Sequence, residues 1–184
     1  MSMVQQFAEM IHPVLRLPIV RRTRRNHALE HATITVLSNR VKSLSMAGRS
    51  DQSGFVLFGD VPTEAVRSAV LEALRRMQQG EKSLAIHPNC GTNLVTTSFC
   101  ASVAAMLGMK VTRSSGFTNR LPVVMGLVAV AVVLSQPLGF SLQRHITTDG
   151  DPADLELVEI ARSEMRSPFG RGRIVVHRVT LRSE

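Results

Sequence analysis

His27-Ala28-Leu29-Glu30-His31, at the centre of the run Arg24–Val41, decides how the chain is read. On a helix, residues three and four apart share a face. That places His27, Glu30 and His31 together, with Ile34 and Ser38 on the same side, and turns Leu29, Thr33 and Val36 to the opposite, inward face. The two imidazoles then line one surface about a turn apart, where both can bind one Zn²⁺. Glu30 stands beside them as the acceptor of a proton from metal-bound water.

Working outward, the first helix is expected over Arg24–Asn39, preceded by residues 1–23 as a basic, interfacial N-terminal segment. Met10, Ile11, Val14, Leu15, Ile19 and Val20 are apolar, Pro13 and Pro18 break the segment, and Arg21–Arg25 holds four arginines. Such a mixture suits anionic headgroups. Lys42–Arg49 and Phe55–Asp60 read as two strands of a hairpin around the turn Ser50-Asp51-Gln52-Ser53-Gly54. Asp60, as a cap, opens a second helix whose apolar stripe runs Ala65, Val66, Ala69, Val70, Ala73, Leu74, Met77 and which Gly80 ends. Glu64 in its first turn is a distant candidate metal ligand. Ser83-Leu84-Ala85-Ile86 is a third strand on this reading. These segments make residues 24–91 a small soluble αββαβ domain carrying the H-x-x-E-H helix.

His87-Pro88-Asn89-Cys90-Gly91-Thr92-Asn93 is the second informative stretch. A histidine and a cysteine three apart in a Pro/Gly turn offer metal donors. Catalytic zinc takes three protein ligands and keeps a position for water. His27 and His31 need one more, and His87 or Cys90 supplies it. The alternative is an Asn/Gly turn that caps the next helix, with Cys90 as a small buried side chain.

No Asp or Glu occurs between Lys82 and Thr148. Leu94–Met109 and Leu121–Leu142 are apolar, the first rich in the small residues that let helices approach closely. Residues 92–143 are therefore expected to form a two-helix transmembrane hairpin, both ends on one side. A buried helical pair in a soluble domain is the alternative. Thr147–Asp154 is a linker. Leu155–Ser163 and Arg173–Leu181 pair across Ser167–Gly172, so residues 144–184 add a C-terminal β-hairpin packed on the soluble domain. His145 and His177 are lone histidines, structural or exposed. The whole is an α+β membrane protein.

The 22 Lys and Arg against 14 Asp and Glu give a formal charge of +8, with no Trp and no Tyr. Lacking aromatic stacking platforms, this excess points to the lipid bilayer rather than to nucleic acid. Cys90 and Cys100 do not form a secreted disulfide framework. With the run Arg21–Arg25 they place the soluble part in the cytoplasm, at a bacterial cytoplasmic membrane. Oligomeric state is not readable.

Arg25–Thr33, Gly48-Arg49-Ser50-Asp51, Gly59–Glu64 and His87–Asn93 together resemble an uncharacterised bacterial membrane family, a domain of unknown function. That resemblance spans Arg24 to the C-terminal hairpin and implies a small membrane protein without assigned residue roles. His27–His31 alone resembles the inverted zinc-peptidase motif. This second resemblance implies His27 and His31 as ligands and Glu30 as general base. Those families take a downstream glutamate as third ligand. Here that region is acid-free, which leaves His87 or Cys90. The function expected is a membrane-anchored zinc-dependent hydrolase, a metallopeptidase acting on a membrane-proximal peptide or protein. The alternatives are a scaffold or assembly factor with a closed structural site made by the same four residues, or no metal at all.

Overall fold

The computed structural model of the chain describes residues 2–113, 116–166 and 172–183. It divides into two units, Met1–His87 with Arg144–Glu184, and Pro88–Gln143.

In the first unit, α1 (Met3–Met10) and α2 (His12–Leu15) precede α3, which runs Pro18–Arg40. The helix thus begins six residues before the expected Arg24. Pro18 occupies a first-turn position, where its missing N–H costs nothing, so it starts the helix instead of breaking the segment. Ser2 caps α1 with Gln5 in a reciprocal capping box. The hairpin forms as β1 (Ala47–Asp51) and β2 (Gly54–Phe58): β1 begins five residues later than the expected Lys42, and the turn is tighter than expected. Gly54, at φ 141°, takes a conformation that L side chains rarely adopt. The next helix, α4, spans Thr63–Gln78. Its N-cap is Pro62, without a side-chain hydrogen bond, so Asp60 is not the cap. The expected apolar stripe is its buried face, except that Ala65 is only half-buried.

β3 (Glu156–Arg166) and β4 (Arg173–Arg182) complete an antiparallel four-stranded sheet in the order β1-β2-β4-β3. Both expected strands of this hairpin are present, and each extends beyond the reading. Most of the expected turn, residues 167–171, lies outside the described residues. In β2 and β4 burial alternates as the period of two requires. Phe55 faces Val179 and Leu57 faces His177 across the register, all four fully buried.

The expected third strand is absent: Lys82–Ala85 is a 3-10 turn. The apolar run Leu84-Ala85-Ile86 is too short to be told apart from a buried turn by periodicity. Here Leu84 and Ala85 are buried against α3, and no strand partner is supplied for them by the sheet.

α3 packs against α4, β1, β2 and this turn. That position corrects the two-faced helix of the sequence reading. From Arg25 to Leu37 every residue is buried except His27 and Thr35, so the motif's polar face is enclosed. The sheet approaches one side of α3 and the turn another, which leaves no solvated stripe along its middle.

The second unit is α5 (Gly91–Val111) and α6 (Phe117–Leu142), the latter continuing into a π-helical turn over Gln143–Thr147. Both helices are long and apolar enough to cross a membrane. They leave large apolar side chains exposed, among them Phe99, Met106, Val133 and Leu134. Contact between them is close at Gly108, where a Cβ would sit 3.0 Å from Val124 Cγ2. Polar side chains join them: Gln143 donates to Asn93 (2.8 Å), and Thr97 and Ser135 hydroxyls share a 2.7 Å hydrogen bond.

Candidate metal centre

α3 sets the first donors. His27 and His31 lie one turn apart, with ring centroids separated by 4.3 Å and planes inclined at 62°. Each ring is held by a main-chain carbonyl from a different part of the chain. His27 Nδ1–H donates to Thr147 O at 3.1 Å, and His31 Nδ1–H to Ala85 O at 2.8 Å. A carbonyl only accepts, so Nδ1 carries the proton in both rings. In the neutral imidazole the lone pair then sits on Nε2. Metal-binding histidines are oriented in this manner by their outer partners.

Both carbonyls are themselves fixed. Arg24, one turn before His27, donates Nε–H to Ile146 O (2.6 Å) and Nη2–H to Thr148 O (2.9 Å) and His145 O (3.3 Å). Asp149 N–H returns a bond to Arg24 O. These contacts lay segment 145–149 along α3 with Thr147 O at His27. Burial is the main cause that lowers the Arg24 pKa, with Asp149 opposing it. Ala85 O is set by the 3-10 turn, whose apolar pair Leu84 and Ala85 is buried.

The third imidazole follows that turn. The His87 ring centroid lies 5.9 Å from that of His31. Burial, and then the neighbouring His31, hold its pKa below the ordinary histidine value. A tetrahedral ion with Zn–N near 2.05 Å puts the centroids of two Nε2-ligating rings about 5 Å apart. The observed 4.3 and 5.9 Å bracket that separation. The His27–His31 and His31–His87 pairs each lie near the spacing of two rings on one ion.

Glu30 is 4% exposed, and its carboxylate is turned toward β1. Ser50 Oγ–H donates to Glu30 Oε2 in a short hydrogen bond. Gly48, two residues before Ser50 on the same face of β1, leaves the room: a Cβ there would meet Glu30 Oε1 at 2.1 Å. Burial raises the Glu30 pKa, opposed by the Ser50 hydrogen bond and by the charge of His27. Asn26 adds a second tie to the same strand, donating Nδ2–H to Asp51 O at 2.8 Å.

The fold thus brings both His27 and His87 to His31, with Glu30 adjoining His27. Cys90 opens α5 as its N-cap in the second unit, where its sulfur accepts the Thr92 N–H. It follows His87 by three residues, which the chain spans in about 10 Å at most. Glu64 is exposed in the first turn of α4. His177 is fully buried on the inner face of the sheet, within 3.3 Å of Thr63 Oγ1. His145 contributes its carbonyl to Arg24. Sequence reading missed Arg24, Gly48, Ser50 and the two carbonyl anchors. Gly48 and Ser50 carried a signal: a glycine inside a strand marks close approach by another group.

A profile for the domain of unknown function DUF6391 matches residues 22–160, which include all three histidines. An uncharacterized protein of Picosynechococcus sp. is 38% identical over 153 residues, covering 74% of this chain and 70% of that protein. No solved structure matches the chain. On the profile and on this relative, the chain belongs to the DUF6391 family, a domain of unknown function.

Proposed function

We propose that the protein is a membrane-anchored metal-dependent hydrolase, with α5 and α6 crossing the bacterial cytoplasmic membrane and the histidine site in the cytoplasm beside it. The observation that carries the metal reading is the pair of Nδ1–H···O=C bonds from His27 and His31, which put both lone pairs on Nε2. His27 and His31 are the first two ligands. The third is His87, by its approach to His31, or the Cys90 thiolate three residues on. His and Cys donors of this kind suit zinc. A zinc ion with an open position would lower the pKa of bound water to near neutrality and polarise a carbonyl. Glu30 is the residue to take that proton and return it to a leaving amine, which makes a peptide at the membrane surface the natural substrate.

A second reading is favoured by Glu30 itself. Its carboxylate is already engaged by Ser50 and boxed in by Gly48. In that reading His27, His31, His87 and Cys90 close a structural site, Glu30 only braces α3 against β1, and the protein is a scaffold or assembly factor.

Metal analysis of the detergent-purified full chain tests the site: about one zinc per chain is expected, lost in His27→Ala/His31→Ala. Glu30→Gln is expected to keep the metal and to abolish cleavage of a quenched fluorescent peptide library. Metal-free wild-type protein refutes both readings. Bound zinc with no cleavage by the wild type selects the structural one.

A further inference from the structure

A second polar site lies on the first unit, at the start of α3. A cavity of about 410 Å³ is lined by Arg16, Arg21, Arg22 and Arg25, with Gln52 from the β1–β2 turn and Ser183 after β4. Four guanidiniums around one cavity repel one another unless an anion is present. Among the described residues their ion pairs are loose. Arg21 reaches Asp149 at 3.9 Å and Arg25 reaches Asp154 at 3.4 Å, while Arg22 bonds the neutral Ser183 through Oγ (2.9 Å) and O (2.5 Å). Arg25 is 8% exposed, and its buried Nε–H has no hydrogen-bond partner among the described residues. A buried charged donor without an acceptor is costly, so it points to a group that binds there.

We propose that this cavity is a phosphate-binding site, taking the phosphate of a lipid headgroup or a free phosphate. Guanidinium forks match phosphate oxygens two at a time, and a tetrahedral phosphate, whose free oxygens point out of one plane, engages several arginines where a planar carboxylate takes one fork. Leu17 and Ile19 are exposed beside these arginines, Ile19 on the cavity itself, and give an attached alkyl chain a surface. The cavity is separate from the histidine cluster and stands whether or not a metal binds.

The test is calorimetric titration of the full chain in an uncharged detergent at low ionic strength, with sodium phosphate and, separately, with dihexanoylphosphatidylglycerol. Saturable binding of either supports the site. A response to phosphate itself assigns a free phosphate ligand, and a response to the lipid alone assigns a headgroup. Arg16→Gln/Arg22→Gln is expected to weaken binding at least tenfold. Arg16→Glu, on an exposed side chain that folding does not need, is expected to weaken it several-fold. Arg67→Gln on α4 is expected to leave it unchanged. No saturable binding of either probe overturns the proposal. So does equal weakening by Arg67→Gln and the double variant, which would mark a diffuse charge effect.

Discussion

Gly48→Ala is the sharpest probe of how α3 meets the sheet. The added Cβ would stand 2.1 Å from Glu30 Oε1, 2.6 Å from Cδ and 2.8 Å from Cγ. Rotating the far end of Glu30 is not enough, because Cγ is also too close and the residue is buried. Either β1 moves off α3, or the carboxylate leaves Ser50 for a place without a donor. Overpacking of this type costs about 1–3 kcal/mol. Losing a hydrogen bond to a buried carboxylate costs about 1.5–3 kcal/mol. The two are alternatives in part, so about 2–4 kcal/mol is expected in total. In a Glu30→Ala background the methyl group enters space the carboxylate has left, and the same substitution should cost close to nothing. The double-mutant cycle then shows a coupling of about 2–4 kcal/mol, with the double variant more stable than the sum of the singles implies. Denaturant melts of the full chain, followed by circular dichroism in one detergent, measure it. Additivity to within about 0.5 kcal/mol would refute the placement of Glu30 against Gly48.

Two further outcomes follow from other parts of the molecule. His177 is fully buried, and its pKa is lowered, first by burial and then by Arg162, with Asp60 opposing. The unfolded chain therefore binds this proton more readily than the folded one, and stability falls as pH drops through the ordinary histidine range near 6.5. Unfolding midpoints between about pH 7.5 and 5 should show that slope, and His177→Leu should flatten it. Between α5 and α6, Gly108→Leu drives a side chain into Val124 and Leu127, and should lower stability by about 1–3 kcal/mol in the same melts, whereas Gly126→Leu, with nothing within 4 Å of its Cβ position, should not.

What could be read locally and what could not separates along physical lines. The α4 stripe, the β1–β2 and β3–β4 hairpins and the two apolar helices follow from local periodicity and length, and each is present. Ser83–Ile86 reads as a strand, but so short a run does not separate strand from buried turn by periodicity, and tertiary burial made Lys82–Ala85 a 3-10 turn. His27 and His31 were visible as a pair because a helix relates residues four apart. His87, 56 residues beyond His31, was visible as a donor type, but its approach to His31 was not. The anchors Ala85 O and Thr147 O are backbone atoms and leave no mark in side-chain identity.

By itself, the amino-acid order determined which segments are helices and strands, where the acid-free apolar stretch lies and which residues carry donor atoms, because these depend on neighbours a few positions away. Tertiary structure alone decided that the motif helix is enclosed rather than half-exposed, that both of its imidazoles hold their protons on Nδ1, and that Glu30 is turned to Gly48 and Ser50. Those outcomes depend on which distant backbone is brought within hydrogen-bond reach, and that is settled by packing of the sheet and the 3-10 turn around α3.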